Sequence, residues 1–127
     1  NEGYISGGIT SALDWYKKGI TASFEFNGLS ASSYLAQPTL DFTTNADARA
    51  KIATQEWIAL FGQGFESWTE WRRNKIPVLA PAAESIIKQI PSRLFYPTTE
   101  SSLNKENYDA GVQTIGSDNL TAPLFWQ

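Results

Sequence analysis

The chain reads as mainly α-helical, with long amphipathic helices and a Pro-rich irregular segment. Three observations predict this. Ile5, Ile9, Leu13, Tyr16, Ile20 and Phe24 recur at spacings of four and three, the period of one helical face. Residues 51–73, KIATQEWIALFGQGFESWTEWRR, gather three of the five tryptophans and the adjacent pair Arg72 and Arg73. Pro77, Pro81, Pro91 and Pro97 then interrupt the chain too often for another long helix.

Each element follows in order. The first stripe predicts a helix opening near Tyr4 and Ile5 and closing at Asn27-Gly28, where glycine takes the left-handed position after a helix end. Gly19 inside it costs about 1 kcal/mol against alanine, so it is expected to permit close approach by a neighbour. Residues 29–45, rich in Ser, Thr and Ala and holding Gln37-Pro38, read as a surface loop. Thr44 followed by Asp47 resembles a capping box. It starts a second helix near Asn45 that runs to Asn74 or Lys75, with a bend expected at Gly62-Gln63-Gly64. Residues 82–89 allow a short helix, 93–96 are extended, 105–114 form a last short helix and 116–127 an irregular tail.

On a helical wheel, Trp57, Phe61, Phe65, Trp68 and Arg72 share one face of the second helix, with Gly64 and Trp71 close beside it. An aromatic ridge of this kind can stack on sugar rings, but at helical spacing it is more often core. The core role is favoured, with Phe61→Ala costing about 3 to 5 kcal/mol. Trp68 and Arg72 stand four apart, so the cation can lie over the indole, and Glu70 reaches Arg73. Paired arginines can clamp an oxyanion, yet at a helix end they also suit the negative pole and nearby carbonyls. The structural role is preferred for Arg72 and Arg73. Better ligand-binding candidates lie off the ridge: Trp15, about 100° from the Tyr16 stripe, and Tyr34 and Tyr108, in or beside loops.

Composition removes several chemistries. The 127 residues contain no His and no Cys, so the usual zinc ligands, the commonest general base and the thiol nucleophile are missing. A net charge of -3 and a pI near 4.9 argue against a nucleic-acid partner. Glu66 and Glu70 can be imagined as a glycosidase pair, but acids one turn apart are commonly a solvated face. There is no G-x-S-x-G elbow and no phosphate-binding glycine loop. Asn119-Leu120-Thr121 fits the N-glycosylation pattern only weakly. No catalytic residue, metal site or cofactor is assigned.

The blocks Gln55-Glu56-Trp57-Ile58-Ala59-Leu60-Phe61 and Glu70-Trp71-Arg72-Arg73, then Pro77, the run IPSRLFYPTTE at 90–100, Asn104, Asn107 and Trp126 resemble the C-terminal signature of the SusD/RagB family. Two departures stand out: Ser92 occupies a place where a second basic residue is common, and Phe125-Trp126 replaces a tryptophan pair. The resemblance implies the C-terminal part of a SusD-like α-helical fold, in which Arg72 and Arg73 tie the long helix to the 91–100 segment. Arg93 and Glu100 would join one polar network there. It also implies a glycan-binding lipoprotein of the Bacteroidetes outer membrane, which takes an oligosaccharide or related nutrient at the cell surface. A SusC-like TonB-dependent transporter would be its partner. Such proteins run to several hundred residues, so residues 1–127 are expected to be a fragment whose missing N-terminal portion carries the lipid anchor. A scaffold or protein-protein interaction module without its own ligand site is the alternative.

Overall fold

The computed structural model describes residues 6–126, so Tyr4 and Ile5, placed above at the opening of the first stripe, lie outside the described residues. The described chain is helical, with no strand assigned among those residues. It divides into two units, one ending at Pro77 and one beginning at Val78.

In the first unit, α1 (Gly8–Phe26) carries the predicted stripe. It ends as expected: Gly28 adopts φ 71°, its N–H donates to the Glu25 carbonyl, and the Leu29 N–H donates to the Phe24 carbonyl, both at 2.9 Å. That pair of bonds satisfies carbonyls that a helix end otherwise leaves open. After it come α2 (Ser32–Leu35) and a 3-10 turn at Pro38–Leu40. This segment is no mere surface loop. Ala31 and Leu40 are buried with Tyr16 and Ile20 of α1, and Leu35, Tyr34 and Phe42 pack against them. Its apolar residues are too few and too irregularly spaced to show a period, yet these five are held by the core they cover.

The helix α3 (Asn45–Ala59) begins where the cap predicted. The Asp47 N–H donates to Thr44 Oγ1 at 3.1 Å, and Asp47 Oδ2 accepts from the Thr43 N–H at 2.9 Å. The Thr43 backbone N–H and then the Lys51 ammonium hold the Asp47 carboxyl below its ordinary value. Replacing Thr44 with alanine is expected to destabilise the protein by about 1 kcal/mol, read as a fall in melting temperature that Thr44→Ser does not reproduce.

The single long helix does not exist. Its expected bend is a break, with α3 ending at Ala59 and α4 (Gly64–Asn74) starting afresh. The Phe61 N–H turns back to Ile58 and the Gln63 N–H to Leu60, tighter closures than the helical step of four. Gly62 sits between them at φ 86°. Since angular position on a wheel carries across only an unbroken helix, the ridge is divided. Phe61 is 95% exposed and Phe65 77%, while Trp57, Trp68 and Trp71 are half-buried. The expectation of four buried rings on one face, with a large cost for Phe61→Ala, is therefore corrected. In this unit α3 packs against α1, and α4 against α3.

The second unit has α5 (Glu100–Leu103) and α6 (Lys105–Ile115), the latter closing at Gly116 with φ 84°. Residues 82–89 form turns instead of the expected short helix. The tail lacks a helix, as predicted, but it is tied down: the Ser92 N–H donates to the Leu120 carbonyl at 2.8 Å and Ser92 Oγ to the Ala122 carbonyl at 2.8 Å. Ser92, the residue that departs from the family pattern, is itself buried.

Candidate functional site

A groove of about 470 Å³ lies between α1 and α3. Tyr16 and Ile20 of the core are among the residues that line it. Trp15, 61% exposed, stands on the α1 side, with Gly19 and Ser23 following at four-residue steps. Across from them, α3 supplies Ile52, Gln55, Glu56 and Ala59, again at steps of three and four. Glu56 is the one charged residue among those lining it. Partial burial, followed by the nearby Glu70 charge, pushes its carboxyl up from the ordinary value, with Arg73 acting the other way. A smaller hollow of about 240 Å³ lies at the break between α3 and α4, where Trp57 and Phe61 face it.

The three aromatic candidates separate. Trp15 presents its ring to the groove, with the Lys18 ammonium 4.7 Å from the ring centre. Tyr34 is engaged within the first unit. Its ring lies 5.4 Å from that of Phe24, and its hydroxyl accepts a 2.8 Å hydrogen bond from Gln55 Nε2. Tyr108 is engaged within the second unit, edge-on to Tyr96 at 5.8 Å and bonded through its hydroxyl to Asp118 Oδ2 at 3.3 Å.

At the end of α4, the two local contacts expected from spacing are present. The Arg72 guanidinium lies 4.0 Å from the Trp68 ring centre and donates to Thr69 Oγ1 at 3.2 Å. Arg73 pairs with Glu70 Oε1 at 3.1 Å. Glu70 Oε2 also accepts from Asn74, so this acid is held by its own helix. Trp71 Nε1 donates to the Pro77 carbonyl at 3.0 Å, which turns the chain as it leaves α4.

In the second unit, the polar network around Arg93 differs from the expected one. Glu100 is not a member: its carboxylate accepts from Asn104 four residues on, a local helix-end contact. Arg93 instead meets Asp118 at 2.6 Å and lies 4.9 Å from the Tyr96 ring centre. The Tyr96 N–H also donates to Asp118 Oδ1 at 3.1 Å. Burial alone would raise the Asp118 carboxyl, but the Arg93, Tyr96 and Tyr108 bonds outweigh it and hold it below its ordinary value. Gly111 belongs to the same cluster, since a Cβ there would sit 3.0 Å from the Tyr96 hydroxyl. Sequence reasoning missed Asp118, although an acid just past a helix-ending glycine is placed to fold back on earlier chain. It also missed the groove residues of α3, which the Gln55-Glu56 pair at a three-and-four spacing from Ile52 and Ala59 would have disclosed.

The comparisons with known proteins fit this architecture. Residues 1–97 match the SusD-like_2 family, described as "Starch-binding associating with outer membrane", and the chain belongs to that family. Among solved structures, it is similar to one titled "Bacteroidetes AC2a SusD-like", with 27% identity and a TM-score of 0.83, covering 98% of this chain and 27% of that one. It is also similar to a chitin-binding protein, with 29% identity and a TM-score of 0.80, covering 98% of this chain and 29% of that one. The chain thus spans less than a third of the length of these structural relatives. No curated protein matches.

Proposed function

We propose that this chain is the C-terminal part of a longer, lipid-anchored SusD-like protein that binds an oligosaccharide at the outer membrane and passes it to a SusC-like TonB-dependent transporter. The observation that carries the reading is the family match over residues 1–97, supported by a chitin-binding structural relative with the same helical arrangement. Glu66 and Glu70 do not make a free acid pair. Glu70 is committed to Arg73 and Asn74, which leaves Glu66 without a second free carboxylate on its face.

Binding without turnover is the expected behaviour. Titration of the complete protein with starch or N-acetylglucosamine oligomers should give micromolar to millimolar affinity, about -8 to -4 kcal/mol, and no new reducing ends. That range suits a protein that must release its cargo. Time-dependent hydrolysis abolished by Glu66→Gln would overturn the reading in favour of an enzyme.

A further inference from the structure

We infer that Asn27-Gly28, the one Asn-Gly pair in the sequence, is a site of spontaneous modification that the last turn of α1 holds shut, so that Asn27 converts to aspartate and isoaspartate only when that turn opens. The chemistry is intramolecular. The Gly28 amide nitrogen attacks the Asn27 side-chain carbon Cγ, the new N–Cγ bond closes a succinimide ring, and Nδ2 leaves with the Gly28 proton as ammonia. Water then adds to either imide carbonyl: breaking the bond from nitrogen to Cγ leaves aspartate, and breaking the bond from nitrogen to the backbone carbon leaves isoaspartate. Glycine favours the first step because no side chain shields its nitrogen, and both residues are exposed in this chain to the water that the second step consumes.

The folded geometry holds each reacting atom away from the other. The Gly28 N–H donates to the Glu25 carbonyl and the Leu29 N–H to the Phe24 carbonyl, both at 2.9 Å, so the peptide that carries the nucleophile is tied down on either side. Asn27 Nδ2 donates to the Ser23 carbonyl at 2.8 Å, which keeps Cγ turned back along the helix. Asn27 has ψ 8°, and ring closure needs a rotation about that bond that breaks the Gly28 contact with Glu25. The turn must therefore open first, and helix ends are where local opening costs least. Conversion then works against reclosure. An aspartate at this position loses the donor to Ser23 and sets a negative charge at the negative pole of α1. An isoaspartate lengthens the backbone where the Gly28 and Leu29 N–H groups must both reach their carbonyls. The segment after Gly28 holds Ala31 and Leu40, which are buried with Tyr16 and Ile20, so the bond keeps an irreversible record of openings next to that core.

The test follows Asn27 in the complete protein by peptide mapping, with the aspartate and isoaspartate products separated, during incubation at mildly alkaline pH in buffer and in guanidinium chloride. Conversion should be at least about tenfold slower in the folded protein, since only the opened fraction reacts. Leu29→Pro removes the N–H that bonds to Phe24 and leaves the Asn-Gly pair intact. Measured against its own unfolded rate, this variant should lose protection by about threefold or more. Asn27→Asp should lower the melting temperature by a few degrees, and Asn27→Ala, which loses the Ser23 bond without adding a charge, by less. Should Leu29→Pro fail to fold, the ratio of folded to unfolded rates in the parent and the melting temperature of Asn27→Asp decide the result. Equal rates in the folded and unfolded parent overturn the inference. Unchanged protection in a folded Leu29→Pro variant also overturns it, because the block then lies outside this turn. An Asn27→Asp variant that melts at or above the parent overturns the opposition between conversion and reclosure.

Discussion

Arg93→Ala is expected to lower the melting temperature by roughly 10 °C, the largest loss from any single polar residue in the second unit. Arg93 is only 9% exposed, and its guanidinium is the group on which the tail converges. It pairs with Asp118 at 2.6 Å, donates to the Asn119 carbonyl and covers the Tyr96 ring. Truncation leaves Asp118 facing a half-buried space with its principal cation gone, which costs more than the pair itself contributes. Arg93→Lys should recover part of the loss, because it keeps the charge while giving up the planar contact with Tyr96. A variant that melts like the parent but binds oligosaccharide less well would show that Arg93 serves a ligand instead of the fold.

The same cluster sets a pH dependence. Asp118 and Asp47 both titrate below the ordinary aspartate value of 3.8 when folded. The unfolded chain therefore binds more protons than the folded one in acid. The stabilisation is full above that ordinary value and is lost as pH falls through the lower folded-state values. Glu56 has the opposite sign. Its raised carboxyl favours the folded state below the ordinary glutamate value of 4.5, and that contribution is lost as pH rises through the folded value. Asp118→Asn should flatten the decline in melting temperature expected of such carboxylates as pH falls below about 4.

How far the sequence discloses this molecule depends on the range of the interactions involved. Helix starts and stops are local, and Thr44 and Gly28 are legible because each acts within a few residues of itself. The α1 stripe was legible for the same reason: one face of an unbroken helix is determined by spacing alone. The aromatic ridge was not, because its reading assumed continuity through Gly62-Gln63-Gly64, and a change from a bend to a break rotates every later residue. The network expected to join Arg93 and Glu100, seven residues apart, instead pairs Arg93 with Asp118, 25 residues away. Pairing at that separation is decided by how the tail folds back, which no local pattern encodes. The family resemblance reached further than the residues did for function, since it draws on the whole ordered set of blocks at once.

Ile20→Ala and Phe61→Ala should part company sharply, and their contrast tests the corrected core. Ile20 is 4% exposed and sits among Tyr16, Ala31 and Leu40. Removing three carbons there forfeits their transfer from water and leaves a cavity, a loss of about 2 to 5 kcal/mol. The lower half of that range is expected, because no large side chain among the described residues is completely buried and a thin core relaxes more easily around a deletion. Phe61, at 95% exposure, has almost no contact area to lose. In the 127-residue chain its removal should change stability by less than about 0.5 kcal/mol, and urea titration of the two variants against the parent measures both. Equal losses would restore the unbroken aromatic ridge. A Phe61→Ala loss that is negligible in this chain but large in the complete protein would show that the ring is covered by residues outside this sequence, a result the break between α3 and α4 allows because it turns Phe61 outward.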